Sequence, residues 1–210
     1  MGFRGKWGAG IAGCFLLWTA TGMVVSQEAP LITVLVNNSA NVAPPLLNQA
    51  KAETSRVFHK AGIEIEWRDC SSTILAQPCL FSSSRDSFLL HIVPNGKTST
   101  GSVFGEAFLG ADGTGKYIDV FFDRIQEAGR KFGTNNGRLL GTVSAHELGH
   151  LLLGTNAHAH SGIMEPVWEQ ESLRRMAMGR LLFTREQSML MKARVERSAM
   201  AVNLRRPVSF

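Results

Sequence analysis

The chain has 210 residues, enough for one sizeable hydrophobic core and hardly enough for two. Hydrophobic residues make up 44% and charged residues 19%, an ordinary globular balance with no low-complexity tract or internal repeat. The net charge is +5, but the basic side chains gather after Glu171 without interleaved aromatics or a known module. A solvated basic face is expected there, and nucleic-acid binding is not.

The N-terminus reads as a targeting segment. Arg4 and Lys6 precede an uncharged stretch that runs to about Val25, and small residues lie near a cut before Gln27. This is the layout of a secretory signal peptide over residues 1–26, leaving one mature domain over 27–210. An uncleaved anchor is the alternative, which the many Gly, Ala and Thr residues of the stretch weaken. "IAGC", ending at Cys14, resembles a lipobox, but the apolar run continues well past it. A secreted or periplasmic protein with no stable membrane insertion after cleavage is expected. Two cysteines then remain, Cys70 and Cys79, and an even count in an exported chain predicts one disulfide closing a short loop.

"LITVLVNN", residues 31–38, is β-branched and apolar and predicts a buried strand. "NVAPPLLNQAKAETSRVFHKAG" follows, with paired prolines suited to a helix start and Gly62 to its end. "IEIEW", residues 63–67, alternates as a strand should, and "SFLLHIVP", residues 87–94, predicts a third strand stopped by Pro94. "VFGEAFLG" is short and broken by glycine, as an edge strand is. "GADGTG" turns the chain into "KYIDVFFDRI", a strand over 116–125. Asn135 or Asn136 offers an N-cap for a helix from about Arg138 to Leu153, with Gly154 as its stop. Thr184 and Gln187 stand at capping-box spacing and open a closing helix. The fold class is therefore α/β (α+β), in the order β-α-β-β-β-β-α followed by a loop and more helix, in one domain over about 30–200. His59 and His91 fall on the first helix and third strand and read as ordinary packed or surface histidines.

"HELGHLLLGTNAHAHSGIM" holds four of the six histidines. His146 and His150 are four apart on the predicted helix, so their imidazoles project from one face and reach one zinc ion. Glu147, beside the first histidine, sits close to the metal without ligating it and suits a general base. Gly141, Ala145 and Gly149 are small and let that helix pack closely. Two histidines leave the site one ligand short, because catalytic zinc takes three protein ligands and an open position. Gly154 ends the helix and lets the chain turn back, and His158 and His160 follow on the loop. His158 is the nearer third ligand and His160 the runner-up.

At this point the sequence resembles the metzincin clan of zinc endopeptidases, whose motif is H-E-x-x-H-x-x-G-x-x-H with a methionine in a tight turn under the metal. "HSGIMEP" is similar to the matrixin run of His-Ser, Ile-Met and Pro. The stretch also resembles bacterial secreted proteins carrying HELGHLLLG…AH…GIM. The resemblance implies a single metzincin-like domain, a twisted mixed sheet with an antiparallel edge strand that holds the substrate, and Met164 as the Met-turn residue. The chain departs from the motif by one extra residue before the glycine and one after it. Leu153 stands where the usual glycine belongs and Asn156 where the usual histidine belongs.

Together these readings lead to a zinc-dependent endopeptidase acting on peptide or protein substrates. Zn2+ on His146, His150 and His158 lowers the pKa of a water, and Glu147 takes its proton. Two other readings compete. In one, Glu165, Glu169 or Glu186 is an acidic third ligand. In the other, the protein is a non-catalytic secreted zinc-binding protein.

Overall fold

The structure is a computed structural model and describes residues 2, 29–70, 86–96 and 103–203. The signal-peptide stretch and Cys79 lie outside the described residues. A five-stranded sheet has the order β2-β1-β3-β5-β4. Its strands are β1 (Leu31–Asn38), β2 (Glu64–Asp69), β3 (Ser87–Val93), β4 (Gly105–Leu109) and β5 (Gly115–Phe121). All pairs are parallel except β4 with β5, so β4 is an antiparallel edge strand. The β1 run is apolar enough to be central, and it pairs with a strand on each side.

One face of the sheet carries Ile32, Val34, Val36, Leu90, Ile92, Ile118 and Val120, all at most 2% exposed. These pack with α1 (Pro44–Lys60) and α3 (Asn136–Leu153) into one core cluster. Pro44 starts α1 where its missing N–H costs nothing, and Gly62, at φ +78°, follows its end. The first two turns of α3 lie hard against α1. A Cβ at Gly141 would stand 2.4 Å from the Ala50 carbonyl oxygen, and the Thr54 hydroxyl donates to the Gly141 carbonyl at 2.9 Å. Almost every residue of α3 is buried, so it is a core helix and not an amphipathic one. Each fully buried leucine on it, such as Leu140 or Leu148, contributes about 1.5–3 kcal/mol.

Two elements differ from the expectation. The strand expected over 116–125 ends at Phe121, and α2 (Phe122–Phe132) follows directly. Ile125 and Ala128 are its buried positions, Asp123 lies in its first turn, and Gly133 ends it at φ +63°. A helical stripe was present there, hidden by the apolar run that precedes it. A short helix, α4 (Gln170–Ala177), also lies between the histidine loop and the closing helix α5 (Arg185–Asn203). The start of α5 is a reciprocal capping box: the Gln187 N–H donates to Thr184 Oγ1 at 3.2 Å and the Thr184 N–H to Gln187 Oε1 at 2.9 Å. Among the described residues, no helix is long and apolar enough to cross a membrane.

Candidate metal centre and cleft

Asn135 caps α3 by accepting the Arg138 N–H at 2.9 Å, and Gly154 ends it in the left-handed region at φ +72°. Between these ends the helical period sets His146 above His150 on one face. Both imidazoles are buried, at 8% and 4% exposure. His146 Nδ1 lies 2.7 Å from the Ile163 carbonyl oxygen and His150 Nδ1 lies 2.8 Å from that of Thr155. A carbonyl only accepts, so each ring carries its proton on Nδ1 and turns a bare Nε2 lone pair to the cavity. The two Nε2 atoms stand 3.0 Å apart. Two acceptors facing each other at that distance repel, unless a cation sits between them or one ring is protonated. Burial, above all, holds both rings below the usual imidazole range, His146 down to about 3. Their neutral form is the one that binds metal.

His158 completes the group. The chain leaves Gly154, is pinned at Thr155 by His150, and is pinned again where the Ala159 N–H donates to the Met164 carbonyl at 2.8 Å. Between these two anchors the exposed His158 ring comes to 4.9 Å from the His150 ring and 5.3 Å from the His146 ring, centroid to centroid. The ligating nitrogens of His146, His150 and His158 all lie within 4.8 Å of one another. His160, Glu169 and Glu186 are exposed and outside this group, as is the half-buried Glu165. The Glu165 carboxylate is engaged elsewhere, accepting from the Gly162 N–H at 3.0 Å and from the Ser172 hydroxyl. An acidic third ligand therefore has no support in this arrangement.

Met164 is fully buried, in the turn with Ile163, whose carbonyl partners His146. A Cβ at Gly149 would stand 2.9 Å from its sulfur and 2.7 Å from the Phe183 ring, so the bare glycine admits both. Gly162, at φ +84°, makes the sharp bend into this turn.

Glu147 is 7% exposed and lies against the edge strand, where a Cβ at Gly105 would meet its Cγ at 2.8 Å and its Oε1 at 2.9 Å. Burial first, and then the charge of Glu106, push its carboxyl up to about 8. A cation held by the adjacent histidines favours the ionised form of this group.

The histidines and Glu147 line a cleft of about 570 Å³. Its lining includes Val103 and Phe104, then the first residues of the edge strand, from Gly105 to Ala107, and Pro166, Val167 and Trp168, which follow the Met164 turn. Ala128 and Phe132 of α2 and Leu139 and Val143 of α3 supply apolar lining to the same cleft. Arg124, Glu127 and Lys131 stand along the same side of α2.

No protein-family model matches the chain, and no curated protein matches its sequence. A solved structure does match its fold. The chain is similar to the crystal structure of archaemetzincin from Methanopyrus kandleri, with a TM-score of 0.50 at 14% sequence identity. The match covers 82% of this chain and 99% of that one. At that identity the likeness is one of fold, a mixed α/β domain with a five-stranded sheet.

Trp168 and Gly105 carry no spacing signal in the sequence. The Trp168 indole N–H donates to the Ile163 carbonyl at 3.1 Å, the same oxygen that takes the His146 proton, and its ring meets His146 edge-on at 5.7 Å. The edge strand was expected, but not that one of its residues must be glycine to admit Glu147.

Proposed function

We propose that this protein is a zinc-dependent endopeptidase whose metal is held by His146, His150 and His158. The observation that carries the reading is the pair of Nε2 lone pairs 3.0 Å apart on proton-fixed, buried rings, with a third imidazole beside them. Three imidazole nitrogen donors with one side open to a cleft are the donor set of catalytic zinc, and both buried ligands have the carbonyl partners that orient such histidines. The shared fold with a protein named as a metzincin supports the same reading. Once bound, zinc supplies Lewis acidity, lowering the pKa of a water and polarising a carbonyl.

The chain's own residues do the rest. Glu147 accepts the water's proton on its carboxylate as the water oxygen adds to the peptide carbonyl carbon, and then returns it to the departing amine nitrogen. The outer edge of β4 takes the substrate backbone as an added strand. The apolar lining from Ala128, Phe132, Leu139 and Val143 accepts one substrate side chain. Export by cleavage before Gln27 and a Cys70–Cys79 disulfide belong to the same proposal.

Metal content measured beside turnover of a quenched peptide library tests it. Glu147→Gln keeps the size and removes the basicity, so it should retain zinc and lose about 10²–10⁴-fold in turnover. His146→Ala should lose metal and activity together. Parent-like hydrolysis by Glu147→Gln refutes the mechanism. Full zinc content in the parent without hydrolysis of any peptide moves the binding-protein reading ahead.

A further inference from the structure

The sheet face opposite α1 and α3 carries a second constellation, separate from the histidine cluster. The register of the three central parallel strands sets Asn37, His91 and Asp119 side by side in one row. His91 Nδ1 lies 3.2 Å from Asp119 Oδ1. A carboxylate accepts only, so the His91 proton sits on Nδ1 and Nε2 is left as an acceptor. Ser39 Oγ stands 2.9 Å from that Nε2 and 3.0 Å from Asn37 Oδ1, two acceptors for its one hydroxyl proton. This is hydroxyl, imidazole and carboxylate in the order in which a base activates a serine and a third group orients the base.

The placement does not depend on loose surface chains. His91 and Asp119 come from adjacent strands, about 4.8 Å apart in any sheet. Ser39 lies in the turn after β1, and the next residue is tied to the strand residue after His91: the Ala40 N–H donates to the Ile92 carbonyl at 3.0 Å. The Asn38 side chain closes the same turn, donating to the Val42 carbonyl and accepting from the Val42 N–H, both at 2.9 Å. Ser39 is exposed, and the His91 and Asp119 side chains are 33% and 30% exposed, so a reagent reaches all three.

A neighbouring row on this face is apolar. Leu35, Leu89, Tyr117 and Phe108 are in register across four strands, and the last two are 44% and 45% exposed. They form a shelf two residues along from the polar row.

We propose that Ser39 is an activated nucleophile, with His91 as its general base and Asp119 as the group that orients the base, and that the apolar shelf seats the acyl or aryl part of a small ester. As Ser39 Oγ bonds to the ester carbonyl carbon, its proton passes to His91 Nε2. The bond to the alkoxide or phenolate breaks, and that group leaves with the electron pair and takes the proton. Water then adds to the acyl-serine with His91 as base, releasing the carboxylic acid and restoring the hydroxyl. A half-turn of the Asn37 amide brings its N–H2 to Ser39 Oγ and leaves the hydroxyl proton to His91 Nε2. The site is independent of the zinc reading and stands or falls separately.

The test is labelling of the full chain with a fluorophosphonate, in which Oγ–P forms and fluoride leaves, read by peptide mass spectrometry. The adduct should fall on Ser39, and its rate should drop about 10²-fold or more in His91→Gln. Asp119→Asn should slow it as well. p-Nitrophenyl acetate turnover should lose a component in Ser39→Ala, a change in an exposed turn that leaves the fold intact. Absence of an adduct on Ser39, or an adduct formed equally fast in His91→Gln, overturns the proposal and leaves a surface hydrogen-bond network.

Discussion

Glycine at position 105 is required if Glu147 is to lie where the cleft holds it. Alanine there would place a Cβ 2.8 Å from Glu147 Cγ, 2.9 Å from its Oε1 and 2.8 Å from the Asp119 carbonyl oxygen. An ordinary carbon–carbon contact is about 3.5 Å, so the shortfall is about 0.7 Å. The Asp119 carbonyl belongs to the β4–β5 ladder and has no freedom to give, whereas the Glu147 side chain has. The carboxylate should therefore move away from the methyl, while the clash with the Asp119 carbonyl is relieved only by a shift of the edge strand itself. A misplacement near 1 Å costs about 10²-fold in rate, so Gly105→Ala should lower kcat by about tenfold to a hundredfold. Overpacking costs about 1–3 kcal/mol, and removing a strand glycine returns about 0.5–1 kcal/mol. The net loss of about 0–2.5 kcal/mol should lower Tm by no more than about 10 °C at 2–4 °C per kcal/mol. Zinc content should not change, because the nearest contacts of the added methyl are Asp119 and Glu147 and not a histidine.

The assay is a double-mutant cycle on peptide turnover, with zinc measured for each protein. Gly105→Ala in a Glu147→Gln background should cost clearly less than in the parent, since the displaced amide has no basicity to lose and only the shift of the edge strand remains. Parent-like kcat in Gly105→Ala refutes the placement of Glu147. An equal loss in both backgrounds means that the edge strand, and not the carboxylate, is disturbed.

Three other expectations can be checked on the same protein. His158→Ala should lose zinc and activity while His160→Ala keeps most of both, as metal analysis of the two proteins will show; the reverse pattern makes His160 the ligand. Trp168→Phe removes the indole N–H from the Ile163 carbonyl and loosens the partner of His146, so zinc affinity in a chelator competition should fall by about tenfold or more. Cys70 and Cys79 should give no free thiol in the native secreted protein and two after reduction, by thiol titration; two reactive thiols beforehand remove the disulfide.

The helix carrying His146 and His150 was legible because its two ends are written in single residues. Asn135 supplies the cap and Gly154 the left-handed stop, and the ligand spacing between them is the helical period itself. The edge position of β4 was legible from its glycine and short length, and the α5 start from its capping pair. α2 was missed because "DVFFDRI" satisfies a strand until Asp123, and the change from a period of two to one of 3.6 falls inside one apolar run. Trp168 reaches His146 through a backbone carbonyl, an acceptor every residue possesses, so no residue type marks it. Ser39, His91 and Asp119 are 52 and 28 positions apart, and only the parallel register joins them.

The departure from the metzincin motif has a geometric resolution. α3 runs through Leu153, one residue beyond the place where the motif's glycine would end it. One added helical residue carries the exit about 100° round the axis and about 1.5 Å along it. By itself that change would swing the returning loop away from the histidines. The chain answers with one more residue after the glycine, and an extended residue reaches about 3.3 Å, more than the added rise. The longer helix also leaves Thr155 directly over the last turn, where its carbonyl takes the His150 Nδ1 proton at 2.8 Å. The residue that starts the loop thus fixes the second histidine, and the loop's far end, through Ala159 and Met164, returns to the turn whose Ile163 carbonyl fixes the first. His158 lies between those two anchors. Two insertions that spoil the motif as a string of letters are therefore coupled in space, and deleting either alone should withdraw His158 from the group while leaving His146 and His150 in place.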